Sequence, residues 1–203
     1  MDIQIGRGKT ARRAYGIDEI ALVPGLRTLD PVLADTRWTI GGIEREIPII
    51  ASAMDGVIDV DMAVHLSQLG ALGVLNLEGI QTRYADPNPI LDRIASVGND
   101  GFVTLMQELY AEPVKAELIT QRIQEIKQQD GIAAVSATPI GATKYGETVA
   151  KAGADLFFIQ ATVVSTAHLS PEAVTPLDLA NFCLEMPIPV ILGNCVTYEV
   201  ALN

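Results

Sequence analysis

The sequence predicts a parallel α/β fold, and three observations carry that prediction. Five short apolar runs recur along the chain, each followed by a segment with helical spacing. The first run shows no polar alternation, as expected of a strand buried on both faces. A glycine-containing turn, "AGAD", stands directly before the fourth run, where a helix hands over to a buried strand.

The elements follow in order. Arg7, Lys9, Arg12 and Arg13 crowd the amino terminus and read as a solvated, mobile arm. In "TRWTIGGIEREIPI", Gly41-Gly42 separates two β-prone runs, the pattern of a hairpin. The first strand lies in "IPIIASAMDGV" (47–57) and finishes in Ser52, Met54 and Asp55. Met62, Leu66 and Leu69 then keep helical spacing, and Gly70 sits where that helix would stop. "LGVLN" (72–76) is the second strand, and the pattern from Pro87 to Pro113 is helical with a break at "VGND". A clearer helix presents Leu118, Ile119, Ile123 and Ile126 on one face. "IAAVSATP" (132–139) is the third strand and "KYGETVAKAGA" a short helix. "DLFFIQAT" (155–162) is the fourth strand, followed by a helix with Thr175 as its cap and Pro176 at its first position. "IPVILGN" (188–194) is the fifth strand, and "VTYEVALN" opens a fifth helix in which the sequence stops. An eight-stranded barrel takes about 250 residues. The pattern therefore fits either an open doubly wound sheet or the first part of a larger barrel.

Composition narrows the function classes. With 203 residues, 49% hydrophobic, the chain has enough apolar material for one globular domain with a sizeable core. A formal net charge of −11 repels phosphate backbones and disfavours nucleic-acid binding. No apolar run approaches a membrane span and no charged, apolar leader opens the chain, so the expected location is the cytoplasm. Cys183 and Cys195 fit neither a disulfide framework nor a metal-ligand spacing, and each reads as a packing residue rather than a nucleophile.

The motifs that look most chemical fail on context. "GRGKT" (6–10) imitates the end of a phosphate-binding loop, but Ile3 occupies the place of the required first glycine and no strand precedes it. No G-x-G-x-x-G follows a strand. His65, within a helix, reads as structural or surface, and His168, after the fourth strand, is better placed to touch a ligand. The strand ends are more informative, because parallel α/β folds hold ligands there. They supply Ser52, Met54 and Asp55, then Asn76 and Glu78, Ser136 and Thr138, Gln160 and Thr162, and finally Asn194 and Cys195. Short neutral groups predominate, which suits hydrogen bonding to a sugar or base better than acid–base chemistry. Helix capping and loop support compete for the same side chains.

Taken in order, these segments resemble the IMP dehydrogenase/GMP reductase family. "YGIDEIALVP" (15–24) is similar to its amino-terminal Asp-Asp-Val-Leu-Leu-x-Pro signature, and "IPIIASAMDGV" to its first strand with Ser-x-Met-Asp. "LGALGVLN" is similar to its second strand, and "VILGNCVT" to its fifth, Gly-Gly-Asn-Val-x-Thr. The resemblance is greatest to the IMP-dehydrogenase-related paralogues that lack the CBS module, since 79–131 is too short to hold that pair.

The resemblance implies a (β/α)8 TIM barrel. Residues 1–203 would cover roughly its first five βα units plus an N-terminal hairpin, as the leading part of a single catalytic domain. It implies a purine nucleotide oxidoreductase: a GMP reductase, converting GMP to IMP with NADPH. The alternatives are NAD-dependent oxidation of IMP to XMP, or a nucleotide-binding regulatory paralogue without turnover. On the family's terms Ser52 lies near phosphate or ribose, Met54 packs on the purine and Asn194 approaches the reacting face. Gln160, Ala161 and Thr162 fall where the dinucleotide ribose is held. NADPH or NAD is the implied cofactor, with a K+ site outside this segment, and the implied assembly is a homotetramer or homo-octamer. Dehydrogenases carry an acidic residue and two serines where Gln160, Ala161 and Thr162 stand. Reductases carry a lysine near Leu75–Glu78. The family's attacking cysteine follows the sixth strand, beyond Asn203, so residues 1–203 alone are expected to catalyse nothing.

Overall fold

The computed structural model describes residues 2–163 and 177–202, which fall into two compact units divided at Asp35. In the first, β1 (Asp2–Gly6) pairs antiparallel with β2 (Lys9–Arg12), matching Ile3 with Ala11 and Gln4 with Thr10. The amino terminus is thus a hairpin rather than the mobile arm expected from its basic cluster. Gly8, at φ +70°, makes the turn, a left-handed conformation glycine adopts without a Cβ clash. Further on, Glu19 accepts from the Gly16 amide and from Arg13, and those two bonds hold its carboxyl below the ordinary range.

The second unit begins with the predicted hairpin, β3 (Trp38–Ile40) and β4 (Ile43–Arg45), in register Ile40↔Ile43. Its core is a five-stranded parallel sheet of β5 (Ile50–Ala51), β6 (Leu72–Asn76), β7 (Ala134–Ala137), β8 (Leu156–Gln160) and β9 (Val190–Gly193). The strands lie side by side in sequence order. A doubly wound sheet must reverse direction at a switch point, whereas a barrel adds each strand to the same edge. The topology is that of a partial (β/α) barrel, and the open doubly wound alternative falls away.

Seven helices are described: α1 (Val60–Gln68), α2 (Asn88–Ser96), α3 (Asn99–Ala111), α4 (Ala116–Lys127), α5 (Pro139–Ala152), α6 (Leu179–Glu185) and α7 (Tyr198–Leu202). Of these, α1, α4, α5 and α6 cover one face of the sheet. Leu75, Val135, Phe157 and Ile159 of the sheet meet Ile119, Ile123 and Ile126 of α4 and Val149 of α5, all essentially buried. The alternate strand residues Leu72, Val74, Ala134 and Leu156 face the other way, onto Ile40 and Ile43 of the hairpin. With both faces covered, β6 and β7 need continuous apolar sequences, and that is why they were legible as strands.

Several expectations change. The first strand is only Ile50–Ala51, and it is not buried on both faces: Ile50 is 41% exposed. Among the described residues it pairs with β6 alone, at one end of the five-stranded array. Helix α5 starts at Pro139 rather than Lys144, because Thr138 caps it by accepting from the Gly141 amide at 3.1 Å. Asp178 caps α6, accepting from the Asn181 amide at 3.0 Å; Thr175 and Pro176 lie outside the described residues. Cys183 and Cys195 are exposed rather than in the core. On α6 it is Phe182, the neighbour of Cys183, that turns inward, its ring 6.2 Å from that of Phe157. The "AGAD" turn holds as read: Gly153 ends α5 at φ +84°, and Asp155 accepts from the Ala133 amide and from Lys127.

The turn of the β3–β4 hairpin yields a paired test. Gly41 and Gly42 both have positive φ, but only at Gly41 would a Cβ meet other atoms, Leu156 at 2.4 Å and Pro189 at 2.8 Å. Gly42→Ala should cost about 1 kcal/mol, from the backbone alone. Gly41→Ala should cost about 2–4 kcal/mol, since packing strain adds to it. Urea unfolding of the full-length protein checks this; equal losses would mean that the turn does not press on Leu156.

Candidate ligand site at the strand ends

Parallel pairing brings the carboxyl ends of the strands level, with Asn76 opposite Ser136, Ser136 opposite Phe158, and Gln160 opposite Gly193. A cavity of about 210 Å³ opens there. Ser52, Ser136, Gln160 and Asn194 supply its polar groups, and Val74 and Phe158 are among its apolar lining. No charged side chain lines it among the described residues. Such a surface favours an uncharged, partly apolar portion of a ligand, bound through a few placed hydrogen bonds.

Of the residues singled out from the sequence, Ser52, Gln160 and Asn194 meet in this cavity. Ala161 and Thr162 adjoin it through the backbone. The Ala161 amide donates to Gly193 O at 2.8 Å, and the Asn194 amide donates to Ala161 O at 3.0 Å. Asn194 Nδ2 reaches Thr162 O at 3.4 Å. The residues expected at the substrate and those expected at the cofactor are thus contiguous. Met54 stands apart from the cavity lining, 53% exposed, in a turn where its amide donates to Ser52 O at 2.8 Å.

The carboxylates near the strand ends are engaged in structure. Asp55 Oδ2 accepts from the Ile80 amide at 2.9 Å and from the Tyr110 hydroxyl in a short bond, and Asn76 Nδ2 approaches Oδ1 at 3.4 Å. Gly79 makes this fit possible, since a Cβ there would lie 1.7 Å from Asp55 Oδ1. Burial, then the bond to Asp55 and its negative charge, push the Tyr110 phenol well above its usual range. Glu78 accepts from the Thr138 amide at 2.5 Å and from its hydroxyl at 3.1 Å. That places a negative charge at the amino end of α5, where the helix dipole favours it. Sequence reasoning missed Tyr110, because nothing local marks a residue 55 positions away as the partner of Asp55.

His65 is exposed and borders a separate cavity of about 770 Å³ with Asp59, Asp61 and Met62. His168 lies outside the described residues. Partial burial raises the Cys183 thiol, which keeps it protonated and poorly nucleophilic. Among the described residues no three His, Cys, Asp or Glu side chains could hold a metal ion. No described helix is long and apolar enough to cross a membrane.

The chain is thus a partial (β/α) barrel with a neutral polar cavity at its strand ends, the place where barrels of this architecture hold ligands. The particular family follows from comparison with known proteins. The family model for the IMP dehydrogenase / GMP reductase domain matches residues 14–203, and the chain belongs to that family. An uncharacterized oxidoreductase of Mycolicibacterium smegmatis is 31% identical over 206 residues, covering 99% of this chain and 55% of that protein. The inosine-5'-monophosphate dehydrogenase of Methanocaldococcus jannaschii is 38% identical over 66 residues, 32% of this chain and 13% of that protein. The crystal structure of an IMP dehydrogenase/GMP reductase-like protein from Corynebacterium glutamicum superposes with a TM-score of 0.89 at 31% identity. It is matched over 99% of this chain and 54% of its own. The chain spans about half the length of the Mycolicibacterium and Corynebacterium relatives.

The Asp55 cluster predicts a separation of stability from binding. Asp55→Ala leaves the Ile80 amide and the Tyr110 hydroxyl without their acceptor and should cost about 2–4 kcal/mol in urea unfolding of the full-length protein. Tyr110 also sets a pH dependence. An unfolded tyrosine ionises near pH 10. The folded phenol, with its raised value, still holds its proton there, so the folded state binds more protons and stability falls as pH rises past about 10. Tyr110→Phe should flatten that decline, and an unchanged slope would remove Tyr110 as its source.

Proposed function

We propose that the full-length protein is a purine mononucleotide oxidoreductase that reduces GMP to IMP with NADPH. The observation that carries this reading is the neutral cavity bounded by Ser52, Gln160 and Asn194 at the barrel's strand ends, in a chain of this family. A nucleobase presents a flat apolar face with polar edges, which matches apolar walls carrying hydroxyl and amide groups. Ser52 and Asn194 take the substrate side, and Met54, outside the cavity lining in the turn beyond Ser52, serves as a polarizable cover over the base. Gln160, Ala161 and Thr162 hold the cofactor ribose, where Gln160 offers an amide to the diol. A bound NADPH would supply the hydride that replaces the C2 amino group of GMP, which would take up a proton and leave as ammonia. The short span between the second and third strands favours the reductase, since it leaves no room for a CBS pair. The match to an archaeal IMP dehydrogenase keeps the reverse redox direction, IMP oxidation with NAD, as the second reading.

Absorbance at 340 nm with full-length protein distinguishes them. GMP plus NADPH should lose absorbance, while IMP plus NAD should gain none. The opposite pattern assigns a dehydrogenase. Silence in both, with nucleotide binding retained in calorimetry, assigns a regulatory paralogue.

Two substitutions test the division of the site. Met54→Ala should weaken purine mononucleotide binding by about 1 kcal/mol through lost base packing. Gln160→Asp should change KM for the dinucleotide more than KM for the mononucleotide, because only the ribose diol exchanges a neutral partner for a charged one. Equal changes in both constants would place Gln160 away from the cofactor.

A further inference from the structure

Tyr110 stands near the end of α3, 55 positions from the turn it holds. Asp55, the residue directly after Met54, accepts from the Ile80 amide at 2.9 Å, from Asn76 Nδ2 at 3.4 Å and from the Tyr110 hydroxyl in a short bond. The phenol is itself fixed from several sides. The Tyr84 hydroxyl donates to Leu109 O at 3.0 Å, and Leu109 is buried. Arg83 donates to Tyr110 O at 3.1 Å and to Glu78 O at 2.9 Å, with its guanidinium 5.2 Å from the ring centre. Inside the turn, Met54 O accepts from the Val57 amide at 2.9 Å and the Ile58 amide at 3.0 Å, so a shift of Asp55 carries Met54 with it. Ile80 and Asn76 come from β6 and the turn after it, whereas Tyr110 ties the Ser52–Val57 turn to a separate helix.

We propose that Tyr110 is a positioning residue for the mononucleotide: by holding Asp55 it presets the turn that offers Ser52 and Met54 to the ligand. This rests on the reading given above, which puts the mononucleotide at Ser52 and Met54 and the dinucleotide ribose at Gln160, Ala161 and Thr162. A turn released from Tyr110 keeps its bonds to Ile80 and Asn76, so the fold persists while the turn gains freedom. That freedom has to be lost again on binding, and only a ligand that touches the turn bears the cost. The dinucleotide side is built on the ends of β8 and β9, and its backbone bonds run between Ala161, Gly193 and Asn194 rather than through Asp55.

GMP and IMP in one arm, NADPH and NAD in the other, are titrated calorimetrically into full-length wild-type protein, Tyr110→Phe and Gly42→Ala. The phenylalanine keeps the ring beside Arg83 and removes the hydroxyl. Tyr110→Phe should bind the mononucleotides about three- to tenfold more weakly, with dinucleotide affinity changed by less than about twofold. Gly42→Ala, loosened at the hairpin turn instead, should show no such split. In an Asp55→Ala background Tyr110→Phe should add nothing, because the acceptor through which it acts is gone. Equal losses in both arms, no loss in either, or the same split in Gly42→Ala would each overturn the proposal. An additive loss in the double variant would do so too. A wild-type protein that binds neither class removes the parent reading, and this proposal with it, whereas wild-type binding without a split in Tyr110→Phe removes this proposal alone.

Discussion

The constraint on which the structure depends is that its central strands are covered on both faces. Helices α4 and α5 bury one side of β6, β7 and β8, and the β3–β4 hairpin with its Ile40 and Ile43 closes the other. A polar side chain within those strands would have to find a partner in a space that offers none. Polar groups are therefore pushed to the carboxyl ends, where the hairpin no longer reaches and the strands open into loops. Parallel pairing then sets all those ends level. The location of the ligand cavity follows from the packing, before any residue in it is considered.

What remains available at those ends is decided by a competition between structure and chemistry. Asp55 and Glu78 are the two carboxylates nearest the strand ends, and both are spent on backbone amides and hydroxyls. Glu78 occupies the amino end of α5, a place where a bare helix terminus would attract an anion. The uncommitted groups are hydroxyls and amides. The cavity is left neutral because the nearby carboxylates are committed elsewhere, and hydroxyl and amide groups are what its lining offers.

Legibility in the sequence tracks how locally each feature is determined. The strands at 72–76 and 156–160 and the buried face of α4 were readable because burial writes directly into hydrophobic pattern. Gly41-Gly42 was readable because a two-residue hairpin demands positive φ. The first strand is shorter than its apolar run, and Ile47, Ile49 and Ile50 are 37%, 56% and 41% exposed at the end of the five-stranded array, where no described strand covers the open side. The start of α5 was hidden by Pro139 and Gly141, which read as a loop until Glu78, distant in sequence, is seen to hold Thr138. At the site, Ser52, Gln160 and Asn194 converge as their strand-end positions implied, whereas Met54 does not line the same cavity. The role of Asp55 depends on Tyr110 and Gly79, and no periodicity connects those three positions.

The helical pair α2–α3 explains how the first strand end can be fixed at all. Strand β5 is two residues long, and the turn that follows takes its orientation from Asp55, which accepts from the Ile80 amide and the Tyr110 hydroxyl. The pair extends away from β6 and returns, braced by Arg93 on Glu108 and by Arg83, whose guanidinium binds the carbonyls of Glu78 and Tyr110 and lies 5.2 Å from the Tyr110 ring. From the end of α3, Tyr110 then reaches Asp55. An excursion of some two dozen residues between two barrel strands is thereby tied to the turn that carries Ser52 and Met54 into position. The loop after the first strand owes its geometry less to the strand than to the helices inserted after the second.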